Sequence, residues 1–492
     1  MREQQYEGNK QILLLSTLAF FVSVMVWFNM APFNSTIMEQ LAISKDEMGV
    51  LMIVNLALAI PGRIVMGRLV DRYGPKKVFS VLLIIMSIPC FIFALGTTYW
   101  QLLISRLLLG TIGASFVVGI RMISEWFPQH QTGFAQGIYA GWGNFGSSLA
   151  AFTLPTLALF FGGDNGWRYA IALTGLIAFG YGFVYYRKAE NTPPGKEFKR
   201  SANTGAMEVT SFGDLILLML TSFPIYGGLG VLVWSLQDTS VLPIEMASIL
   251  YSLLGIFYII NMTKTWKKNR AYLKTDIPES EKYSMKQVGV LSLAYFSTFG
   301  AELAVISMLP MFFQETFMLG AVGAGMIASS FAFTNLIARP AGGWLSDKFG
   351  RKRMLMALLL LLSMLYFGMS TLSENWPIAL ALVLTMTCSM VGQAASGSVF
   401  SMVSFVKKSR TGQIAGMVGA YGNIGSVCFL AVLNLFFPSV FFIAIGIGAF
   451  VCFIFTFFIQ EPKLEAEEQP LPKRPSRKVN IRRLPAGVNQ KA

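Results

Sequence analysis

The sequence predicts an all-α polytopic membrane protein made of two related six-helix halves and an inserted helix pair. Three observations predict it. Hydrophobic residues make up 54% of the 492 residues and charged residues only 13%, which is atypical of water-soluble domains. Apolar runs recur from Gln11 to Ile459, each of about twenty residues and able to cross a hydrocarbon core of roughly 30 Å. Finally, two motifs of the first half return in the second.

The apolar runs predict fourteen membrane spans. The first run is too long for a secretory signal and lacks a small-residue cleavage site. Six spans are expected in the first half, near residues 11–32, 47–69, 77–97, 100–124, 132–160 and 168–187. Six are expected in the second half, near 286–313, 318–342, 353–372, 376–405, 411–436 and 438–460. Two more, 212–235 and 243–262, flank the turn LQDTSVLP; the alternative for this pair is a long amphipathic linker outside the membrane.

These spans divide the chain into four regions. The first six-helix half is expected over residues 1–190, and a linker with the two extra helices over 191–285. The second six-helix half follows over 286–460. The tail over 461–492 is acidic and then rich in Pro, Lys and Arg, a composition that predicts a disordered cytoplasmic segment.

The basic residues that give the chain its net charge of +14 are distributed as membrane topology requires. Nearly all basic residues outside the spans lie in alternate loops and at the termini, including the tracts RLVDRYGPKK, KTWKKNRAYLK and SDKFGRKR. The opposite loops carry little beyond Lys45 and Arg168. This asymmetry is the positive-inside pattern, so both termini are expected in the cytoplasm and nucleic-acid binding is excluded. A bacterial inner (plasma) membrane is the expected location, and a eukaryotic plasma membrane is the alternative.

Internal repeats relate the two halves. The tract PGRIVMGRLVDRYGPKK recurs as ARPAGGWLSDKFGRKR, which pairs Arg63 with Arg339 at a separation of 276 residues. The tract GFAQGIYAGWGNFGSS recurs as GQIAGMVGAYGNIGSV, which pairs Asn144 with Asn423 at a separation of 279. The common offset is longer than six helices and their loops require, by about the length of one helical hairpin. The inserted pair accounts for this extra length.

Arg63 and Arg339 are the strongest candidates for a ligand site. An arginine within a span rarely faces lipid and normally pairs or lines a cavity. Repeat-equivalent residues are brought toward one central pathway by a pseudo-twofold axis along the membrane normal. Two fixed cations there predict an anionic cargo, and the planar guanidinium fork suits a flat oxyanion. The alternative is that each arginine caps a nearby helix or anchors the loop that follows.

That loop carries the pattern G-x-x-x-D-R-x-G-x-K-K, which resembles the cytoplasmic loop signature of the major facilitator superfamily. Asp71 and Arg72 occupy it in the first half, Asp347 and Lys348 in the second. An Asp at the end of a span can pair with Arg or receive the N-terminus of a neighbouring helix. These four residues are therefore gating candidates; a purely topogenic basic loop is the alternative.

The tracts AGWGNFGSS and GAYGNIGSV, with MVWFNMAPF in the first span, resemble the nitrate/nitrite porter family. The resemblance covers both halves but not the inserted pair. It implies the major facilitator fold and nitrate, or nitrite, held by Arg63 and Arg339. It also implies a site role for further polar and aromatic residues, for which ordinary packing is the alternative: Asn144, Asn423, Phe116, Phe400, Tyr295 and Phe299.

Glu302 is the candidate for proton coupling. Burial in an apolar span favours the neutral acid, and the tract FGAELAV resembles the proton-coupled nitrate importers of the family more than its nitrate/nitrite exchangers. Structural pairing of Glu302 with an interior arginine is the alternative. Arg106 in RLLLG matches a superfamily motif linked to proton coupling or packing. Arg121 and Glu125 are spaced to pair along one helix.

The sequence excludes an enzyme. His130 is the sole histidine and the four cysteines lie inside apolar runs, so neither a histidine metal cluster nor a catalytic triad is available, and no ATP-binding loop is present. No cofactor is expected. We therefore predict a secondary transporter, functional as a monomer, that imports nitrate with protons. Nitrate/nitrite exchange, fourteen-span drug/proton export and non-transporting anion sensing are the alternatives.

Overall fold

The computed structural model describes residues 8–198, 200, 206–238 and 242–461, and within these ranges all regular structure is helical. The predicted tail, apart from Glu461, lies outside the described residues. The described part of the first half contains nine α-helices: α1 Lys10–Phe28, α2 Asn34–Leu41, α3 Lys45–Ala57, α4 Ala59–Tyr73, α5 Pro75–Ala94, α6 Tyr99–Leu109, α7 Ser115–Trp126, α8 Thr132–Phe161 and α9 Gly166–Lys188.

The inserted pair comprises α10 Phe212–Asp238 and α11 Ile244–Tyr272. The second half contains α12 Met285–Phe317, α13 Ala321–Phe333, α14 Asn335–Phe349, α15 Arg351–Met369, α16 Ile378–Val406, α17 Thr411–Leu435 and α18 Pro438–Thr456. Within the described residues, 13 helical stretches are long and apolar enough to cross a membrane. They cover every predicted span except 318–342, where the chain forms the two shorter helices α13 and α14. This arrangement is consistent with fourteen spans.

Two further spans are divided for reasons visible in the sequence. Helix α3 ends at Ala57, four residues before Pro61, which has no N–H to donate to the Ala57 carbonyl and whose ring would clash with that carbonyl in a continuous helix. The fourth span is divided by the 3-10 turn Gly110–Ala114. A Cβ on Gly110 would lie 2.4 Å from the carbonyl oxygen of Asn55, so glycine is required for this close approach of the second and fourth spans.

The halves meet through two equivalent contacts. Helix α4 packs against α17, and α14 packs against α8. A Cβ on Gly416 would lie 2.5 Å from the Arg63 carbonyl oxygen, and a Cβ on its repeat partner Gly137 would lie 2.6 Å from the Arg339 carbonyl oxygen. The repeated glycines therefore let the backbones of the two arginine-bearing helices contact the opposite half directly.

The inserted pair lies beside the second half. Helix α10 packs against α12 and α17, and α11 packs against α10. The tract KTWKKNRAYLK, predicted as a loop, is instead mostly a continuation of α11, because Asn269 anchors it: its side chain accepts from the Val209 N–H and donates to the Met207 carbonyl. The length and apolar composition of α10 and α11 favour membrane helices over an amphipathic linker.

Candidate functional site

Arg63 and Arg339 lie in the centre of the molecule, where the two halves meet. Both are almost completely buried, with relative exposures of 2% and 1%. Their guanidinium carbons lie 5.4 Å and 5.1 Å from the centroid of the same ring, Phe299. The repeat thus brings the two predicted arginines to one place, as a pseudo-twofold arrangement requires.

The two arginines differ in their partners. Arg63 donates from Nη1 to the Gly419 carbonyl of α17, and its buried Nε makes no hydrogen bond within the described residues. Arg339 donates from Nη2 to Glu302, at 2.7 Å, and from Nε to the Gln393 side chain, at 2.9 Å. Arg339 is therefore neutralised by a carboxylate, whereas no carboxylate of the described residues pairs with Arg63.

Glu302 is held by two donors. Besides Arg339, its second oxygen accepts from the Asn335 side chain at 3.0 Å. Asn335 lies four residues before Arg339 on α14, and this spacing places both side chains on one helix face. The pairing with an interior arginine that the sequence offered as an alternative for Glu302 is thus present. Its role in proton transfer stays a prediction.

The four predicted aromatic residues form one cluster beside the arginines. Tyr295 stacks on Phe299 with centroids 4.9 Å apart. Phe400 meets both Tyr295 and Phe116 edge-on, each at 4.7 Å, and Phe116 lies 5.5 Å from the Arg63 guanidinium carbon. The cluster also includes Phe20 and Tyr139, which pack on Phe116 and were not predicted from the sequence.

The two repeat-related asparagines are not equivalent in the structure. Asn423 is 1% exposed, and neither of its amide atoms finds a hydrogen-bond partner among the described residues. It lies one helical turn beyond Gly419, the residue that receives Arg63. Asn144 is only half-buried. Asn423 is therefore the better placed of the two to offer hydrogen bonds to an anion.

Each loop aspartate receives the N-terminus of a helix from the opposite half. Asp71 accepts from the backbone N–H groups of Gly412 and Gln413 at 2.9 Å and 2.8 Å, and Arg121 lies 3.1 Å from it. Asp347 accepts from the Phe134 N–H at 2.9 Å and pairs with Arg351 at 2.7 Å. A carboxylate at a helix N-terminus is stabilised by the helix dipole and the free N–H groups.

We call this end of the molecule, marked by Asp71 and Asp347, the basic face. Arg72 and Lys348, the remaining gating candidates, are exposed there and lie over the rings of Tyr73 and Trp344. The two aspartates contribute contacts between the halves at this face. The basic face is closed in this structure.

Other predicted residues lie away from the centre. Arg106 donates to the Trp27 carbonyl and lies over Phe93, so its described contacts are within the first half and not with Glu302. Arg121 pairs with Glu125 at 2.7 Å, as the spacing predicted, but its contact with Asp71 was missed. Gln393 was also missed, although a buried amide in an apolar span is a signal of the same kind as a buried arginine.

Comparison with known proteins identifies similar chains. The family model described as "Major Facilitator Superfamily" matches residues 16–270 and 291–487. The "Nitrate/nitrite transporter NrtP" of Nostoc punctiforme is 42% identical, covering 93% of this chain and 94% of the relative. The protein of the same name from Picosynechococcus is 41% identical with the same coverage. The "Nitrite extrusion protein" of Bacillus subtilis is 24% identical over 84% of each chain.

Solved structures share the architecture. The human organic anion transporter MFSD10 superimposes with a TM-score of 0.61 at 13% identity, covering 91% of this chain and 99% of that one. The proton:xylose symporter XylE superimposes with a TM-score of 0.60 at 15% identity, covering 92% and 96%. At such identities the likeness concerns the fold alone.

Proposed function

The chain belongs to the nitrate/nitrite porter family of the major facilitator superfamily, and from this premise we propose that it carries nitrate, and also nitrite, across a membrane by alternating access. The observation that carries the proposal is the pair of buried guanidiniums on either side of one interface, Arg63 and Arg339, which share the Phe299 ring. A buried charge without a carboxylate partner is costly. An anion would offset that cost at Arg63.

The shape of the site supports a small planar anion. Guanidinium forks donate pairs of parallel hydrogen bonds to coplanar oxygens, and Asn423 adds neutral amide donors close by. The ring faces of the aromatic cluster can cover a flat ion. A bulky drug cation would meet the charge of Arg63 without an opposing acid, which argues against drug export.

We infer further that transport is coupled to protons through Glu302. Arg63, Arg339 and ionised Glu302 together carry one positive charge. Binding of a monovalent anion makes the site neutral, and a proton on Glu302 then restores the original charge. The anion competes with Glu302 for Arg339, and the proton that enters with the anion takes the place of Arg339 on the displaced carboxylate. The protonated carrier with anion would reorient with the same charge as the empty carrier.

The contacts at the basic face support the gating part of the mechanism. Asp71 and Asp347 each hold a helix of the opposite half, so opening this face must break both contacts. Closure returns the two helix N-termini to the two carboxylates. At Arg63 and Arg339, eight residues before the aspartates on α4 and α14, the backbone contacts glycines of the opposite half. These contacts permit the close packing of the closed state.

The test is nitrate uptake into proteoliposomes with and without an inward proton gradient, with a parallel arm of vesicles loaded with nitrite. Uptake driven by the gradient without internal nitrite supports symport. Uptake confined to nitrite-loaded vesicles would indicate nitrate/nitrite exchange instead of symport. Exchange is the second candidate because Glu302 is already paired with both Arg339 and Asn335. Absence of nitrate flux in both arms would refute transport.

A further inference from the structure

A cavity of about 190 Å³ lies where the inserted pair meets both halves. Its walls come from Met207, which precedes α10, and from four helices: α4 of the first half, α10 and α11 of the insertion, and α17 of the second half. Val65, on its edge, is 47% exposed. The cavity therefore opens at the outer surface of the helix bundle, and it shares no lining residue with the central arginine site.

Arg68 provides the charge of this cavity. It is only partly exposed, and the neighbours that interact with its charge among the described residues are Tyr226, which lines the same cavity, and Lys268, which is itself paired with Glu208. An arginine in a membrane span normally pairs with an acid or a carbonyl. Arg68 thus offers up to five donors to a ligand of negative charge.

Gln413 supplies a second, independent indication of a ligand. Its side chain lines the same cavity and is 7% exposed. Its Oε1 has no hydrogen-bond partner in the described part of the chain. A buried amide oxygen without a donor is destabilising, so the ligand that suits the cavity carries a hydroxyl as well as an anionic group.

The depth of the cavity indicates where that ligand comes from. Arg68 lies three residues before Asp71, about 4.5 Å along the helix axis, and Asp71 marks the basic face. Helix α11 continues from the lining residue Asn261 toward the same face with a run of cations: Lys264, Lys267, Lys268 and Arg270. Basic pockets between spans on the positively charged side of a membrane bind anionic lipid headgroups.

We propose that this cavity binds the headgroup of an anionic, hydroxyl-bearing phospholipid from the leaflet at the basic face, with Arg68 on the phosphate and Gln413 on a headgroup hydroxyl. Phosphatidylglycerol has this chemistry. The acyl chains lie outside, along the apolar surface beside Val65. The lipid would then contact α4, α17 and the inserted pair together.

Native mass spectrometry of the full-length protein tests the proposal. The protein is purified in micelles containing phosphatidylglycerol or phosphatidylcholine, and retained lipid is counted. We expect one phosphatidylglycerol to be retained preferentially and Arg68→Gln to weaken its binding by about fivefold or more. Arg187→Gln is the matched control, because this exposed arginine lies in the last turn of α9 at the same face, away from the insertion; it should bind as wild type.

A second variant keeps the charge of Arg68 and fills the cavity. Ser222→Phe fills the cavity from α10 while leaving Arg68 intact, and we expect the same loss of phosphatidylglycerol. Thermal unfolding of each variant shows that the fold persists. Equal retention of both lipids, undiminished binding by Arg68→Gln, or displacement of the lipid by inorganic phosphate alone would overturn the proposal. No transport is measured, so the result is independent of the proposed function.

Discussion

Arg339 and Glu302 form an ion pair of 2.7 Å in which both side chains are almost wholly buried. Removing one member of such a pair leaves a buried charge uncompensated, which costs about 3–5 kcal/mol. A substrate anion that binds Arg339 replaces the carboxylate as its partner and avoids this cost. The pair therefore makes anion binding and the ionisation state of Glu302 dependent on each other.

Glu302→Gln should remove the effect of a proton gradient on nitrate uptake. The amide keeps the shape of the side chain but neither competes as an anion for Arg339 nor takes up a proton. At an effective dielectric constant of about 20, loss of this competing charge should lower the KM for nitrate by roughly tenfold. Nitrate uptake into proteoliposomes, measured over a range of nitrate concentrations with and without an inward proton gradient, gives both the gradient dependence and the KM.

Glu315→Gln is the matched control for that experiment, because Glu315 is an exposed acid on the same helix, α12. It should retain the gradient dependence of the wild type. If uptake by Glu302→Gln still follows the proton gradient, Glu302 is a structural partner of Arg339 and protons do not pass through it.

Arg63→Lys and Arg339→Lys should each weaken nitrate binding by about thirtyfold. Lysine keeps the charge but cannot reproduce a forked pair of donors, and a hydrogen bond to a charged group contributes roughly 2 kcal/mol. Calorimetric titration of the purified protein with nitrate measures the Kd. Arg168→Lys is the control, since Arg168 donates to the Ala94 and Gly96 carbonyls far from the centre. An equal loss in that control would assign the effect to stability.

Asp71→Asn and Asp347→Asn should each open the basic face more often. Loss of a carboxylate that receives a helix N-terminus costs about 1–2 kcal/mol, so the rate at which a cysteine at the interface is labelled should rise roughly tenfold. A suitable reporter is Ser404→Cys, because Ser404 is buried against Gln136 across the halves. The half-buried Cys428 is replaced by serine in every variant.

Asp164→Asn, in an exposed loop at the other end of the molecule, is the control for the labelling experiment and should leave the rate unchanged. An unchanged rate in Asp71→Asn and Asp347→Asn as well would show that the carboxylates do not hold the basic face closed. In that event the repeated loop serves topology alone.

The spans were predictable because lipid cannot satisfy backbone groups, so every crossing leaves a long apolar run. The repeat was equally informative, since it indicated Arg63, Arg339, Asp71 and Asp347 in related positions. The end of α11 was not predictable from the apolar pattern, which stops near residue 262. Its last turns are polar and depend on Asn269, whose partners Val209 and Met207 are distant in sequence.

The partners of the central arginines were harder to predict than the arginines themselves. Gln393 and Glu302 come from α16 and α12, and only the packed structure brings them to Arg339. The repeat also suggested equal roles for Asn144 and Asn423, yet they differ in burial. A repeat predicts the position of a residue on its helix, whereas the burial of that residue depends on its neighbours. The inserted pair and Glu302 have no counterparts in the first half, so the neighbours differ between the two halves.

Gly416→Ala should inhibit transport by preventing closure of the basic face. A Cβ there would lie 2.5 Å from the Arg63 carbonyl oxygen, and a backbone atom cannot move aside as a flexible side chain can. Helices α4 and α17 must then separate, which moves Arg63 away from its position. We expect at least a tenfold fall in nitrate uptake with faster labelling of Ser404→Cys, and the same from Gly137→Ala in the other half. Gly180→Ala, with no atom within 4 Å of the added Cβ, should transport normally; a similar fall there, or normal uptake by Gly416→Ala, would contradict a requirement for close approach.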